Sequence, residues 1–510
     1  MLTDGCYGKN AIKDYWIIKI DANGKKLWDK TFGGDQEEIL TSLIATRDGG
    51  YLLGGISQSG KSGDKSEPAL ANGDYDYWLV KIDAAGNKVW DKTLGTTNAD
   101  FLTSLIAAPD GGYLLGDNNF SVTKIDATGK LTWKKSFLSA TNSFSPNLKA
   151  LLLTSDGNYL LGGGSYIKTN YNYRVLKLDT NGDLVWDKSY GGASSDQLEA
   201  LVAAPDGGYL LGGTSNSTAT GDKTDNPRGT AGQSDYWILK IDSNGTKEWD
   251  QTLGGAQADE LADLISTPDG GYLLGGTSTS SNNAFNMYEK SEPLRGYRDY
   301  WVVKVDGQGK KEWDKTAGSY LPDLLSTIIV DAKGDYLLGG TSYSDIGGDK
   351  SEARKGLQDY WVIKLQDKTP LVTTTWDMRY GGYGTDNLSS LIQTADGGYL
   401  SGGYTNSGAT GDKSQPSQGK NDYWIVKSDK KGQKEWDKRY GGYSDDYLNQ
   451  VLQTPDGGYL LAGSSYSQQS GDKSQASRGD RDYWIVKTDK WGQKEWDQRY
   501  GGTGKMNSRK

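Results

Sequence analysis

Four short apolar runs, bounded by Gly, Asp, Asn or Lys, recur along the chain in a fixed order. One copy, at 385–442, reads "LSSLIQT", then "GYLSGGYT", then "YWIVKSD", then "KEWDKRYGG". Each run has strand length and is rich in β-branched or aromatic residues, and none carries a helical period. The first and second runs are joined by "ADGG" or "PDGG", a D-G hairpin signal. The third and fourth are joined by turns such as "DKKGQK", "DANGKK" and "DAAGNK", whose Gly supplies positive φ. This grammar predicts an antiparallel four-stranded meander.

The tyrosine of the "DYW" run returns at Tyr236, Tyr300, Tyr360, Tyr423 and Tyr483, at intervals of 64, 60, 63 and 60 residues. Four strands per repeat of this order of length mark propeller blades, with the extra residues gathered in the loop between the second and third strands. Eight repeats begin near 38, 100, 147, 197, 260, 323, 386 and 446. Their middle runs, "YLLGG" and "YWIVK", are almost unbroken, which suits sheets covered on both faces. A string of separate sheets would leave many edges bare. The paired Gly of the second run reads as a place where neighbouring backbone or a Trp comes close. The expected fold is therefore all-β: an eight-bladed β-propeller of four-stranded antiparallel blades over 35–502.

One hairpin is surplus. Residues 14–34 match the third and fourth runs only, so residues 1–34 read as a partial blade and the strand total as thirty-four. Residues 503–510 read as a disordered tail. Repeats two (112–137) and three (158–179) have little or no loop and lack "DYW", so long loops are expected on the other blades.

Composition sharpens this picture. Of 510 residues only 35% are apolar, while Gly numbers 71 and Trp and Tyr number 17 and 33 against 6 Phe. Such a chain fills its core with amphipathic aromatics and is not disordered. The net charge of −9 excludes a strong nucleic-acid partner. The absence of His excludes Ser-His-Asp chemistry and His-ligated metals, leaving paired carboxylates as the available catalytic chemistry. Cys6 is alone, so no internal disulfide forms, and it reads as an inert residue in an irregular N-terminal stretch. No leader pattern and no 18-residue apolar run is visible, so a fragment of a longer exported chain, monomeric and not inserted in a membrane, is expected.

The strand grammar resembles kelch repeats. "DATGKLTW" (126–133) resembles the tryptophan-docking motif of quinoprotein-type, eight-bladed propellers, and "DANGKKLW" (21–28) and "DKKGQKEW" (429–436) are looser versions. That resemblance implies that Trp28, Trp90, Trp133, Trp186, Trp249, Trp313, Trp376, Trp436 and Trp496 dock between adjacent blades. It implies no quinone cofactor, because the vicinal Cys pair often found in those enzymes has only Cys6 as a counterpart. The whole phrase, from "DYWIVK" through "WDK.YGG" and "DGGYLLGG" to "GDKS", resembles repeats of large secreted surface proteins of Bacteroidetes exported by the type IX pathway. It implies an extracellular or cell-surface location.

Two residue sets are candidates for function. The long loops repeat "GDKS" or "GDKT" at Asp222–Lys223, Asp349–Lys350, Asp412–Lys413 and Asp472–Lys473, with an early copy at Asp64–Lys65. These form either a ring of polar loops that grips a ligand or a turn motif that pairs its own charges. Asp100, Asp196, Asp259, Asp323, Asp386 and Asp446 precede the first strands. They are candidate Ca²⁺ ligands or capping residues. Tyr288, Tyr297, Tyr343 and Tyr466 are candidates to stack on sugar rings. No cofactor is expected, Ca²⁺ apart. The function expected is a non-enzymatic, secreted binding or adhesion module for a glycan or an extracellular protein. A carboxylate-based polysaccharide hydrolase or lyase and a structural spacer array are the alternatives.

Overall fold

The structure, a computed structural model, describes residues 2–7, 13–20, 26–70, 74–117, 119–137, 147–167, 170–229, 232–281, 290–368, 371–477 and 481–500. The described residues hold thirty-five strands and no helix, hence none able to cross a membrane. Eight four-stranded sheets follow one another, each pairing its strands in chain order and antiparallel. Repeat seven is typical: Asp386–Gln393, Tyr399–Thr405, Asp422–Ser428 and Lys434–Tyr440. The "ADGG" turn works as its composition requires: Gly397 takes φ 80°, where a side chain would be strained.

The chain divides into two compact bodies, one up to Tyr190 and one from Gly191 onward. The first holds the N-terminal sheet and repeats one to three. The second holds repeats four to eight.

The N-terminal sheet departs from the expected hairpin. Leu2–Tyr7 adds a third strand, pairing Leu2 with Ile18 through Tyr7 with Lys13. Cys6, read as lying in an irregular stretch, pairs with Asp14 within that strand. "LTDGCY" lacks the Gly-Gly signature of a second strand, so the repeat grammar does not reveal it. It nonetheless pairs with an edge that would otherwise stay open. The expected tail at 503–510 lies outside the described residues.

Core packing runs from sheet to sheet. The fully buried Trp301, Trp361, Trp424 and Trp484 each receive a tyrosine from the preceding sheet. Tyr300 lies 5.0 Å from the Trp361 ring and Tyr423 lies 4.9 Å from Trp484. The hydroxyl of Tyr423 donates to the Trp484 carbonyl at 2.7 Å, so the polar end of the buried ring is satisfied. The second-strand glycines make room for this. A Cβ on Gly402 would meet Val451 and Leu448 of the next sheet, and one on Gly403 would overlap the Asn387 carbonyl and press on the Tyr360 hydroxyl.

Candidate ligand-binding face

In every loop-bearing sheet, two connections share one end: the long loop between the second and third strands, and the link that leads into that sheet's first strand. Hydrogen bonds tie them together. In repeat seven the Asp412 N–H donates to the Gly381 carbonyl at 2.9 Å, and the Gly381 N–H donates back to the Asp412 carboxylate at 3.2 Å. Asp222, Asp349 and Asp472 hold Gly191, Gly318 and Gly441 in the same way, as Asp64 holds Gly33.

The loop lysines turn inward. Lys223, Lys350, Lys413 and Lys473 are at most 2% exposed, as is Lys65. Lys350, Lys413 and Lys473 donate to the carbonyls of Ser344, Ser407 and Ser467 at 2.7–2.9 Å. Lys223 donates to the Thr252 hydroxyl at 2.5 Å and lies 5.6 Å from the Trp237 ring. Burial lowers Lys223, Lys413 and Lys473 to about 8, against the pull of surrounding carboxylates. An ammonium so enclosed organises its own loop and leaves no donor facing outward, which corrects the picture of a lysine-lined gripping surface. The repeat-five member of this set, Lys290, was missed because "YEKSEP" replaces "GDKS". It is 3% exposed and donates to Thr316 at 2.6 Å.

The acidic set before the first strands is also buried. Asp196, Asp259, Asp323, Asp386 and Asp446 are fully enclosed, and Asp100 is 5% exposed. Asp386 accepts the Gly382 N–H at 2.8 Å and the Ser407 hydroxyl at 3.0 Å, and Asp446 treats Gly442 and Ser467 alike. They cap the inter-sheet link. Among the described residues no three His, Cys, Asp or Glu side chains gather into a metal-holding group.

The fourth-strand tryptophans lie against the next sheet's turn. Trp28 donates to the Ala84 carbonyl at 3.0 Å, Trp133 to Thr180 at 3.3 Å and Trp376 to Lys430 at 3.3 Å. A Cβ on Gly86, Gly129, Gly182, Gly309, Gly432 or Gly492 would press on Trp28, Trp90, Trp133, Trp249, Trp376 or Trp436 respectively. Trp313 faces a longer hairpin, Asp359–Lys368 and Leu371–Tyr380, and its indole N–H has no acceptor. Trp186 is 8% exposed in its strand, and Trp496 is half-buried in the last one.

What this face does present outward is aromatic. Tyr320, Tyr383 and Tyr443 occupy the same place in the links that follow repeats five, six and seven, and are 69–75% exposed. Their backbone is pinned while the ring projects. The Tyr383 N–H donates to Thr410 at 2.9 Å and the Tyr443 N–H to Ser470 at 3.0 Å. Tyr297 and Leu357, each following a glycine packed on such a link, are 70% and 66% exposed. Sequence reading found Tyr297 but missed the other three tyrosines. Their signal was the register: "GSY", "GGY" and "GGY" where earlier links read "GGD", "GTT" or "GGA". Tyr466 packs at 6.4 Å on Tyr447 under the Arg481 guanidinium, and Tyr343 is half-buried. Tyr288 lies outside the described residues.

No protein-family model matches the chain. The regulatory protein FlaEY of Caulobacter vibrioides is 23% identical over 179 residues, a stretch covering 34% of this chain and 19% of that protein. The match therefore spans about a fifth of that relative's length. Among solved structures, the Dos1 propeller aligns over 93% of this chain and 94% of its own at 11% identity and a TM-score of 0.43. Sqt1 of Chaetomium thermophilum, solved bound to the N-terminus of the ribosomal protein L10, aligns over 90% and 98% at 11% identity and a TM-score of 0.46. BamB of Moraxella catarrhalis aligns over 84% and 97% at 14% identity and a TM-score of 0.38.

Proposed function

We propose that the eight four-stranded sheets are the blades of a β-propeller, and that the chain is a non-enzymatic binding module working outside the cell or on its surface. Its ligand is a linear glycan, held on the loop-bearing end of repeats five to eight. The observation that carries this reading is the row Tyr320, Tyr383 and Tyr443, one exposed ring per sheet in one register. A tyrosine offers a flat apolar face with a polar tip at little entropic cost, which suits a partner that is apolar on its ring faces and polar at its rim. Rings repeated once per sheet in one register suit a ligand built of equal units. The location rests on the resemblance of the repeats alone.

The test is binding of the full chain to a panel of neutral and acidic polysaccharides, followed by the triple variant Y320A/Y383A/Y443A. Saturable binding without product formation, weakened at least about tenfold in the triple variant, is expected; each lost aromatic anchor is worth roughly 1–2 kcal/mol. Binding unchanged in the triple variant would remove the tyrosine row from the site. Release of shorter saccharides would move the chain to the carboxylate hydrolases or lyases. Capture of a protein but no glycan would make the partner a protein, and no ligand at all would leave a spacer.

A further inference from the structure

Each link between consecutive sheets of the second body brings two carboxyl groups to one dipeptide. At Gly254–Gly255, a Cβ on the first glycine would overlap Asp235 Oδ1, while the N–H of the second donates to Asp259 at 2.8 Å. Gly318–Ser319 joins Asp299 to Asp323, Gly381–Gly382 joins Asp359 to Asp386, and Gly441–Gly442 joins Asp422 to Asp446. All eight carboxyls are fully buried. On Asp235, Asp299, Asp359 and Asp422, Oδ1 has no hydrogen-bond partner, whereas Asp259, Asp323 and Asp446 have the hydroxyls of Ser278, Ser342 and Ser465 beside them. In the first body Gly33–Gly34 joins Asp14 to Glu38. There the longer glutamate reaches towards Asp14, and burial together with the facing Glu38 carboxyl raises Asp14.

We propose that each of these five links binds one proton between its two carboxyl groups, making the links acid-stabilised staples that loosen as the proton leaves. An orphaned buried oxygen is costly, and a proton shared with the neighbouring carboxyl gives that oxygen a partner. Burial first, then the facing carboxylate, raises these groups: Asp323, Asp359 and Asp422 to about 7, with Asp235 and Asp14 also raised. Cations face each second-body pair without satisfying the orphaned oxygens. They are Lys223, Arg228 and Lys290 for the first pair, and Lys290, Arg295 and Lys350 for the second. Lys350, Arg379 and Lys413 face Asp359 and Asp386, and Lys413, Arg439 and Lys473 face Asp422 and Asp446. Lys65 and Asp64 face the first-body pair. With cations already present, a proton is a better fit to the gap than a metal ion. Those lysines lowered to about 8 titrate with the opposite sign, so the informative window lies below pH 7.5.

The sign follows from linkage. A carboxyl raised in the folded state contributes stability that is complete below the unfolded value and is lost as pH rises through the folded one. Denaturant unfolding of the full chain between pH 5 and 7.5 should show the folding equilibrium constant falling with pH, by up to about tenfold per pH unit for each pair releasing its proton. D359N supplies the bridging hydrogen permanently, so it should be at least as stable as the parent at pH 7.5, with a shallower slope. Stability that is flat or rising over that window, or a D359N slope equal to the parent's, would overturn the proposal. If D359N does not fold, the infrared carbonyl band of protonated carboxyls in the parent decides: present at pH 6 and lost by pH 8.5 supports it, absent at pH 6 refutes it. A midpoint that shifts with calcium or chelator at fixed pH assigns the orphaned oxygens to a cation and also refutes it. None of these readouts depends on the glycan.

Discussion

Repeats one and two are consecutive four-stranded sheets of one body, yet the loop between the second and third strands spans 58–75 in one and 118–120 in the other. In repeat one the buried Trp78 indole donates to Asp91 at 3.1 Å. The same Asp91 oxygen accepts the loop N–H of Ser66 at 2.8 Å, and Lys88 holds the other oxygen at 2.9 Å. In repeat two Ser121 stands in the register place of the tryptophan and Lys134 in that of the aspartate. Lys134 turns to the Gly95 carbonyl at 2.8 Å. Repeat three keeps the acceptor because it keeps a donor: Arg174 takes the tryptophan's place and meets Asp187 at 2.7 Å. Loop and tryptophan thus come and go together, and without them the aspartate stays only where another donor meets it. A buried carboxylate persists only where donors converge on it. Shortening also has a local cost, since Phe120, fully buried in the tyrosine's register place, is held at φ 54°.

The largest expected effect breaks this arrangement. Asp91→Ala leaves an indole N–H and a loop N–H without acceptors and should cost about 3–5 kcal/mol, against about 1 kcal/mol or less for Lys134→Ala. Equal losses in urea titrations would show that the two places are equivalent after all. The links between sheets come next. Gly381→Ala drives a Cβ into the Asp359 carboxyl, an overlap worth about 2–3 kcal/mol. Gly397→Ala, at φ 80° in open space, should cost about 1–2 kcal/mol from backbone strain alone. Thermal midpoints of the two variants rank them. Lys413→Met keeps the stem but removes donors to Ser407, Gln415 and Ser417, for about 1–2 kcal/mol. Were that lysine an outward ligand group, stability would not change. Smallest is Tyr383→Ala, within about 0.5 kcal/mol on stability, because its ring touches mainly solvent. A large loss there would mean the ring packs against something in solution.

The strand order, the D-G turns and the placing of long loops in six repeats and short ones in two were legible because each depends on residues within a few positions of one another. Asp-Gly-Gly specifies its turn locally. The apolar runs specify covered strands wherever they stand. The candidate site was less legible. "GDKS" reads as exposed polar loop, and no local pattern distinguishes a lysine pointing at solvent from one sealed beneath its own loop.

What the sequence by itself determined was the repeating unit: four strands, their pairing order and the ends at which loops emerge, all set by short-range propensity and turn chemistry. What only the tertiary structure decided was the use of its polar residues. Asp359 and Asp386 are 27 residues apart and on different sheets, yet packing encloses both at one dipeptide. The same closure turned Lys413 inward, left Tyr320, Tyr383 and Tyr443 outside and brought Leu2–Tyr7 onto an open edge. Burial is a property of the assembled sheets, and it sets the cost of every charge they enclose.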